Sequence, residues 1–65
     1  MKKKILYVSP NSEYEYGDLN NEERIAQANK DENASVYTHL EDFAIDFNNE
    51  IISDLGYIYV IYESN

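Results

Sequence analysis

Cysteine and tryptophan are absent from the 65-residue sequence, and it has one proline and two glycines. Without cysteine there is no disulfide framework and no thiolate metal site, so two of the staples that hold other small domains together are excluded. Glycine-rich phosphate loops need several glycines at set spacing, and Gly17 and Gly56 cannot supply them. No apolar run approaches the roughly 20 residues of a membrane span. Ile5-Leu6-Tyr7-Val8, following Lys2-Lys3-Lys4, starts like a signal peptide. It stops at Ser9-Pro10, well short of the roughly 7 to 15 apolar residues a signal needs, and the chain is expected to be cytoplasmic.

Positive charge is the other scarcity. Thirteen Asp and Glu face five Lys and Arg, for a formal charge of -8. Three of those cations are Lys2, Lys3 and Lys4, and between Asp31 and Asn65 there is no Lys or Arg at all. Direct binding to nucleic acid needs cations that release phosphate counterions, so it is disfavoured. An anionic membrane surface is disfavoured for the same reason. A basic protein partner would be attracted, with association faster at low salt. The chain is nevertheless 43% apolar and 14% aromatic, too much for a disordered acidic tail. Residues 1–65 read as a single small domain, of a size that buries only about 60% of its unfolded surface.

The elements follow from periodicity and punctuation. Lys3 to Val8 is dense in β-branched and aromatic residues with both alternating faces apolar, which predicts a central or well-covered strand closed by Pro10. Asn11 to Leu19 has no period and reads as a loop long enough to bind something. Asn20 with Glu23 three residues on signals a cap, and Asn21 to about Lys30 a helix whose thin apolar face, Ile25 and Ala28, packs lightly. Asp31-Glu32-Asn33 is turn chemistry before a short strand at Ser35-Val36-Tyr37.

Thr38-His39-Leu40-Glu41 reads as a capping box opening a second helix. Leu40, Phe43, Ala44, Phe47 and Ile51 then form one stripe aimed at a core, with Asp42, Asp46 and Glu50 as an acidic ridge opposite. Asn48-Asn49 is a poor interior pair at which the helix can end. Tyr57 to Tyr62 is apolar or aromatic on both faces, which predicts a strand in the sheet centre. The expected fold is α+β, or small α/β, in the order β-α-β-α-β. Its three-stranded sheet and two helices would form two layers, with one sheet face left partly bare and rich in tyrosine.

Catalytic constellations are scarce. The sole histidine, His39, sits at a helix start beside Glu41 and Asp42, where an exposed structural role is the ordinary reading. The acids of Glu13-Tyr14-Glu15-Tyr16-Gly17-Asp18 do not follow the spacing of an EF-hand loop. Paired carboxylates for glycoside chemistry want a cleft of roughly 300 Å³ or more, for which so short a chain leaves little room. No enzyme activity, metal or cofactor is expected.

The one-signed charge, and Tyr14 and Tyr16 between Glu13, Glu15 and Asp18, resist a purely solubilising reading. In size, acidity and lack of cysteine the chain resembles small phage or mobile-element inhibitors of host defence, including anti-CRISPR proteins and DNA mimics. The stretch from Ala28 to Thr38, with Leu40-Glu41-Asp42-Phe43 and Phe47-Asn48, is also similar to a pattern in short uncharacterised proteins of gut bacteria and their phages. The resemblance implies a non-enzymatic inhibitor that works in a host cytoplasm and blocks a basic, nucleic-acid-binding protein. The expected contacts are one continuous acidic exterior made of Glu13, Glu15, Asp18, Asp42, Asp46 and Glu50, with Tyr14 and Tyr16 as anchors. The alternative is a small structural or homo-oligomeric module that pairs through its bare sheet face.

Overall fold

A computed structural model describes residues 2–63. The apolar run of the first strand is β1, Lys2–Val8, followed by helix α1, Asn21–Ala28, and strand β2, Ala34–Tyr37. Helix α2, Leu40–Asn48, and strand β3, Tyr57–Glu63, complete the chain order. The three strands form one sheet in the order β2-β1-β3, with both outer strands antiparallel to β1. This is the small α+β fold of three strands and two helices that the sequence predicts.

β1 rather than β3 occupies the sheet centre, and both strands that flank it are antiparallel to it. The reason is burial on both sides: Ile5, Leu6, Tyr7 and Val8 are all buried. In an antiparallel pair, opposed residues share a face and successive residues alternate between faces. Leu6 and Val8 therefore share a face with Val36, Ala34 and Tyr59. On that face α1 and the preceding loop supply Ala28, Ile25, Tyr16 and Leu19, which close over Leu6, Val8 and Ile61. Leu6 and Ile61 are the largest fully buried side chains among the described residues, each stabilising the fold by about 1.5–3 kcal/mol relative to exposure.

The opposite face carries Ile5 and Tyr7 beside Tyr37. Here α2 packs, with the Phe43 ring edge-on to Tyr37 at 5.5 Å and the Tyr37 hydroxyl donating to Asp46 at 2.7 Å. Burial, then the bond to Asp46 and its charge, push the Tyr37 hydroxyl up to about 12. The two helices thus lie on opposite faces instead of sharing one. α2 packs over β1 and β2, so the bare part of its face is the β3 strip of Ile58, Val60 and Tyr62, apolar but with one tyrosine.

The helices exchange the roles their patterns suggest. α1 has the expected capping box: the Asn20 side chain accepts from the Glu23 N–H, and the Glu23 carboxylate accepts from the Asn20 N–H. Its short apolar face is nevertheless the one that reaches the core, through Ala28 and Ile25. No residue of α2 is buried, and Leu40 and Ile51 at the two ends of its stripe are exposed. The helix is capped at His39 without a side-chain bond, one residue later than the Thr38 box requires.

It ends at Asn48 because Glu50 adopts the left-handed conformation, at φ 59°. The Glu50 N–H then bonds the Phe47 carbonyl and the Ile51 N–H bonds the Asp46 carbonyl, which is the Schellman pattern. Ile51 and Glu50 therefore lie beyond the helix, and the acidic ridge is not a helical row. The chain returns through Ser53, whose carbonyl accepts from the buried Tyr7 hydroxyl at 2.7 Å, and Gly56 lies against the Tyr7 ring.

Two substitutions test these ends. Glu50→Gly relieves a left-handed side-chain residue and raises stability by about 1 kcal/mol. Gly56→Ala places a Cβ 2.5 Å from the hydroxyl of Tyr7, whose ring is held by burial and by Ser53, and lowers stability by about 1–3 kcal/mol. Thermal unfolding followed by circular dichroism reads both, as Tm shifts of about 4–8 °C per kcal/mol in opposite directions.

Candidate partner-binding surface

The loop between β1 and α1 is irregular but tightly held. Its floor is Asp31, 5% exposed, whose carboxylate accepts hydrogen bonds from the Ser12 hydroxyl, the Tyr16 hydroxyl at 2.9 Å and the Asn33 backbone N–H at 2.9 Å. Burial alone would push the Asp31 carboxyl up. The three donors outweigh it and hold the group below the ordinary aspartate value. Burial and the same bond to Asp31 push the Tyr16 hydroxyl far up. Ser12 also accepts from the Tyr14 N–H, which orients the start of the acidic stretch.

From the side, α1 grips three successive loop carbonyls. The Gln27 amide donates to the Glu15 carbonyl at 2.8 Å. Arg24 donates through Nε to the Tyr16 carbonyl and through Nη2 to the Gly17 carbonyl. The same guanidinium lies 4.4 Å from the centroid of the Tyr59 ring on β3, and Tyr16 and Tyr59 are themselves 6.3 Å apart. With the carbonyls turned to α1 and Tyr16 turned inward, the side chains of Glu13, Tyr14, Glu15 and Asp18 are exposed. Between the loop and Tyr57 and Tyr59 lies an open groove of about 490 Å³, larger than so short a chain leads one to expect.

The expected anchors separate here. Tyr14 is 51% exposed and can contact a partner, whereas Tyr16, 3% exposed, is core and offers no surface ring. The expected single acidic exterior also divides. Glu13, Glu15 and Asp18 stand on the α1 side of the sheet, while Asp42, Asp46 and Glu50 belong to α2 and its exit on the other side. Asp46 is partly buried and engaged by Tyr37. Nor do the lysines neutralise the loop: Lys2 pairs in register with Glu63 and Val8 with Tyr57, so the lysine end and the loop end of β1 are about 20 Å apart.

Sequence reasoning did not single out Asp31 or Arg24. The turn chemistry of Asp31-Glu32-Asn33 is visible and real, since the Asn33 N–H bonds Asp31, but burial of that carboxylate depends on Tyr16 and Ser12, fifteen and nineteen residues away. His39 is exposed at the start of α2. Among the described residues no group of three or more His, Asp or Glu is arranged to hold a metal ion, and no helix is long and apolar enough to cross a membrane. No protein-family model matches the chain, and neither a curated protein nor a solved structure is significantly similar to it.

Asp31→Asn keeps the shape of the side chain and removes its charge, and should cost about 2–3 kcal/mol at neutral pH. Because folding lowers the Asp31 pKa, this stability is present above the unfolded aspartate value and is lost as pH falls through the folded one. The gap between wild type and Asp31→Asn in urea midpoints should therefore narrow below about pH 4.

Proposed function

We propose that the protein is a non-enzymatic acidic binding protein that blocks a basic, nucleic-acid-handling partner. The observation that carries this reading is the rigid acidic loop: Glu13, Tyr14, Glu15 and Asp18 are held outward by a buried carboxylate and an arginine that spend no exposed acid of the loop. A preorganised loop loses little conformational freedom on binding, and tyrosine among carboxylates suits a cationic, aromatic-tolerant groove. Charge supports a basic partner over nucleic acid itself, and the resemblance to small defence inhibitors supports a target of the defence or CRISPR type. With Tyr16 in the core and the α2 acids on the other side of the sheet, the contact narrows to the loop.

Competition measures this directly. The protein, titrated into complexes of labelled DNA with a panel of basic nucleic-acid-binding proteins, should release DNA from its target, with an affinity that falls about tenfold or more between roughly 0.05 and 0.5 M salt. Combining Glu13→Gln, Glu15→Gln and Asp18→Asn should weaken release by about tenfold to a hundredfold, since each exposed pair contributes up to about 1 kcal/mol. Asp42→Asn should leave it nearly unchanged. Release that ignores both salt and the loop substitutions would overturn the reading.

A further inference from the structure

β3 is an unguarded edge. Among the described residues, β1 lies along one side of it and the sheet order places no strand along the other. From Tyr57 to Tyr62 it carries no charge and no proline, the usual devices by which an edge strand is kept from pairing. Tyr57, Ile58, Val60 and Tyr62 are each about half exposed or more. β2, the other edge, is four residues long and borders both helices. A long edge such as β3 is a template on which an occupant, another extended strand, can add its own backbone donors and acceptors.

We propose that this occupant is a second copy of the chain, with the two β3 strands paired antiparallel about a two-fold axis at Val60 to make a continuous six-stranded sheet. The polarity of the sheet favours this pairing. By register, Lys2 and Lys4 fall on the same face as Leu6 and Val8, the face of α1 and the acidic loop, but at the opposite end of the strand. The loop acids Glu15 and Asp18 border the groove at Tyr57 and Tyr59. A two-fold axis normal to the sheet preserves faces and exchanges ends, so the lysine end of each copy meets the loop end of the other. Two protomers of formal charge -8 repel in general. Lys2 is already in register with Glu63 across β1 and β3, and this alignment adds the loop acids of the second copy at that end.

The same axis opposes Ile58 with Tyr62, Tyr59 with Ile61, and Val60 with its own copy. Those are the aromatic and β-branched pairs that stabilise antiparallel ladders. Ile58, Val60 and Tyr62 of both copies also join into one apolar strip on the α2 face. Glu13 and Tyr14 also border the turn into β2, on the far side from the seam, and stay exposed in the dimer.

Sedimentation of the full chain should show a concentration-dependent shift from 7.6 kDa to twice that mass, with a dissociation constant of roughly micromolar order, since two paired edges make a small interface. Val60→Lys places two ammonium groups opposite each other at the axis and should weaken the dimer tenfold or more, although it lowers the net negative charge. Below the dissociation constant, where wild type is monomeric, its circular dichroism and melting temperature should stay near wild type, because Val60 is exposed. Lys2→Glu alone, and Glu15→Lys with Asp18→Lys alone, should each weaken self-association, and an equimolar mixture of the two should restore it as a heterodimer. A wild-type monomer at millimolar concentration, a dimer indifferent to Val60→Lys, or a mixture that fails to recover would each overturn the proposal. DNA release is read separately on Val60→Lys, which leaves every loop residue in place.

Discussion

The carboxylate of Asp31 is the constraint on which the upper half of the molecule depends. It is buried, and burial of a charge is unfavourable unless hydrogen bonds replace the water it loses. Three donors do so, and each comes from a different stretch of chain: Ser12 from the middle of the loop, Tyr16 from its buried turn, and Asn33 from the turn into β2. Satisfying one anion therefore fixes the path of the loop against the end of the sheet. The hydrogen bond from the Ser9 N–H to the Asn33 carbonyl adds a backbone tie at the same place. A twelve-residue irregular connection in so small a protein would otherwise have little to order it, because only Tyr16 and Leu19 of that segment join the core.

Arg24 complements Asp31 from the other side. An arginine in a strongly acidic chain would be expected to pair with a carboxylate, yet this one donates to two backbone carbonyls and to the Asn21 side chain and lies over the Tyr59 ring. The consequence is electrostatic as well as structural. The cation neutralises no exposed acid of the loop by direct contact, so the negative potential at Glu13, Glu15 and Asp18 is preserved while the backbone that carries them is held. Asp31, conversely, places its own charge inside rather than on the surface. The two buried or half-buried ions serve the loop's conformation without pairing its exposed acids, while Lys30 borders Glu13 and Tyr14 on the side of β2.

The elements most legible in the sequence are those set by local chemistry. Asn20 with Glu23 forms the capping box that its spacing indicates, the strand at Lys3 to Val8 is central, and the order of strands and helices follows directly from periodicity. Legibility fails where tertiary context decides. The stripe from Leu40 to Ile51 is helical in period, but a three-stranded sheet is too narrow to cover it, and the left-handed turn at Glu50 takes Ile51 off the helix. Thr38 belongs to the chain leaving β2, so the helix starts one residue later than its box. Within the loop, Tyr14 and Tyr16 have nearly identical sequence surroundings. Only the position of Asp31 beneath Tyr16 decides which ring turns inward.

β3 shows how a correct local reading leads to a wrong placement. Apolar residues on both faces of Tyr57 to Tyr62 argue for a strand covered on both faces, and within one copy of the chain that condition is met only at Ile61 and partly at Tyr59. In β1 the same composition is satisfied by two flanking strands and a helix on each face. The composition of β3 fits a strand covered on both faces, whereas Ile58, Val60 and Tyr62 are left exposed on the α2 face. The proposed sheet of two copies would pair the outer edge of β3 and set it next to the centre of six strands, while Ile58, Val60 and Tyr62 of both copies would still lie uncovered on the α2 face.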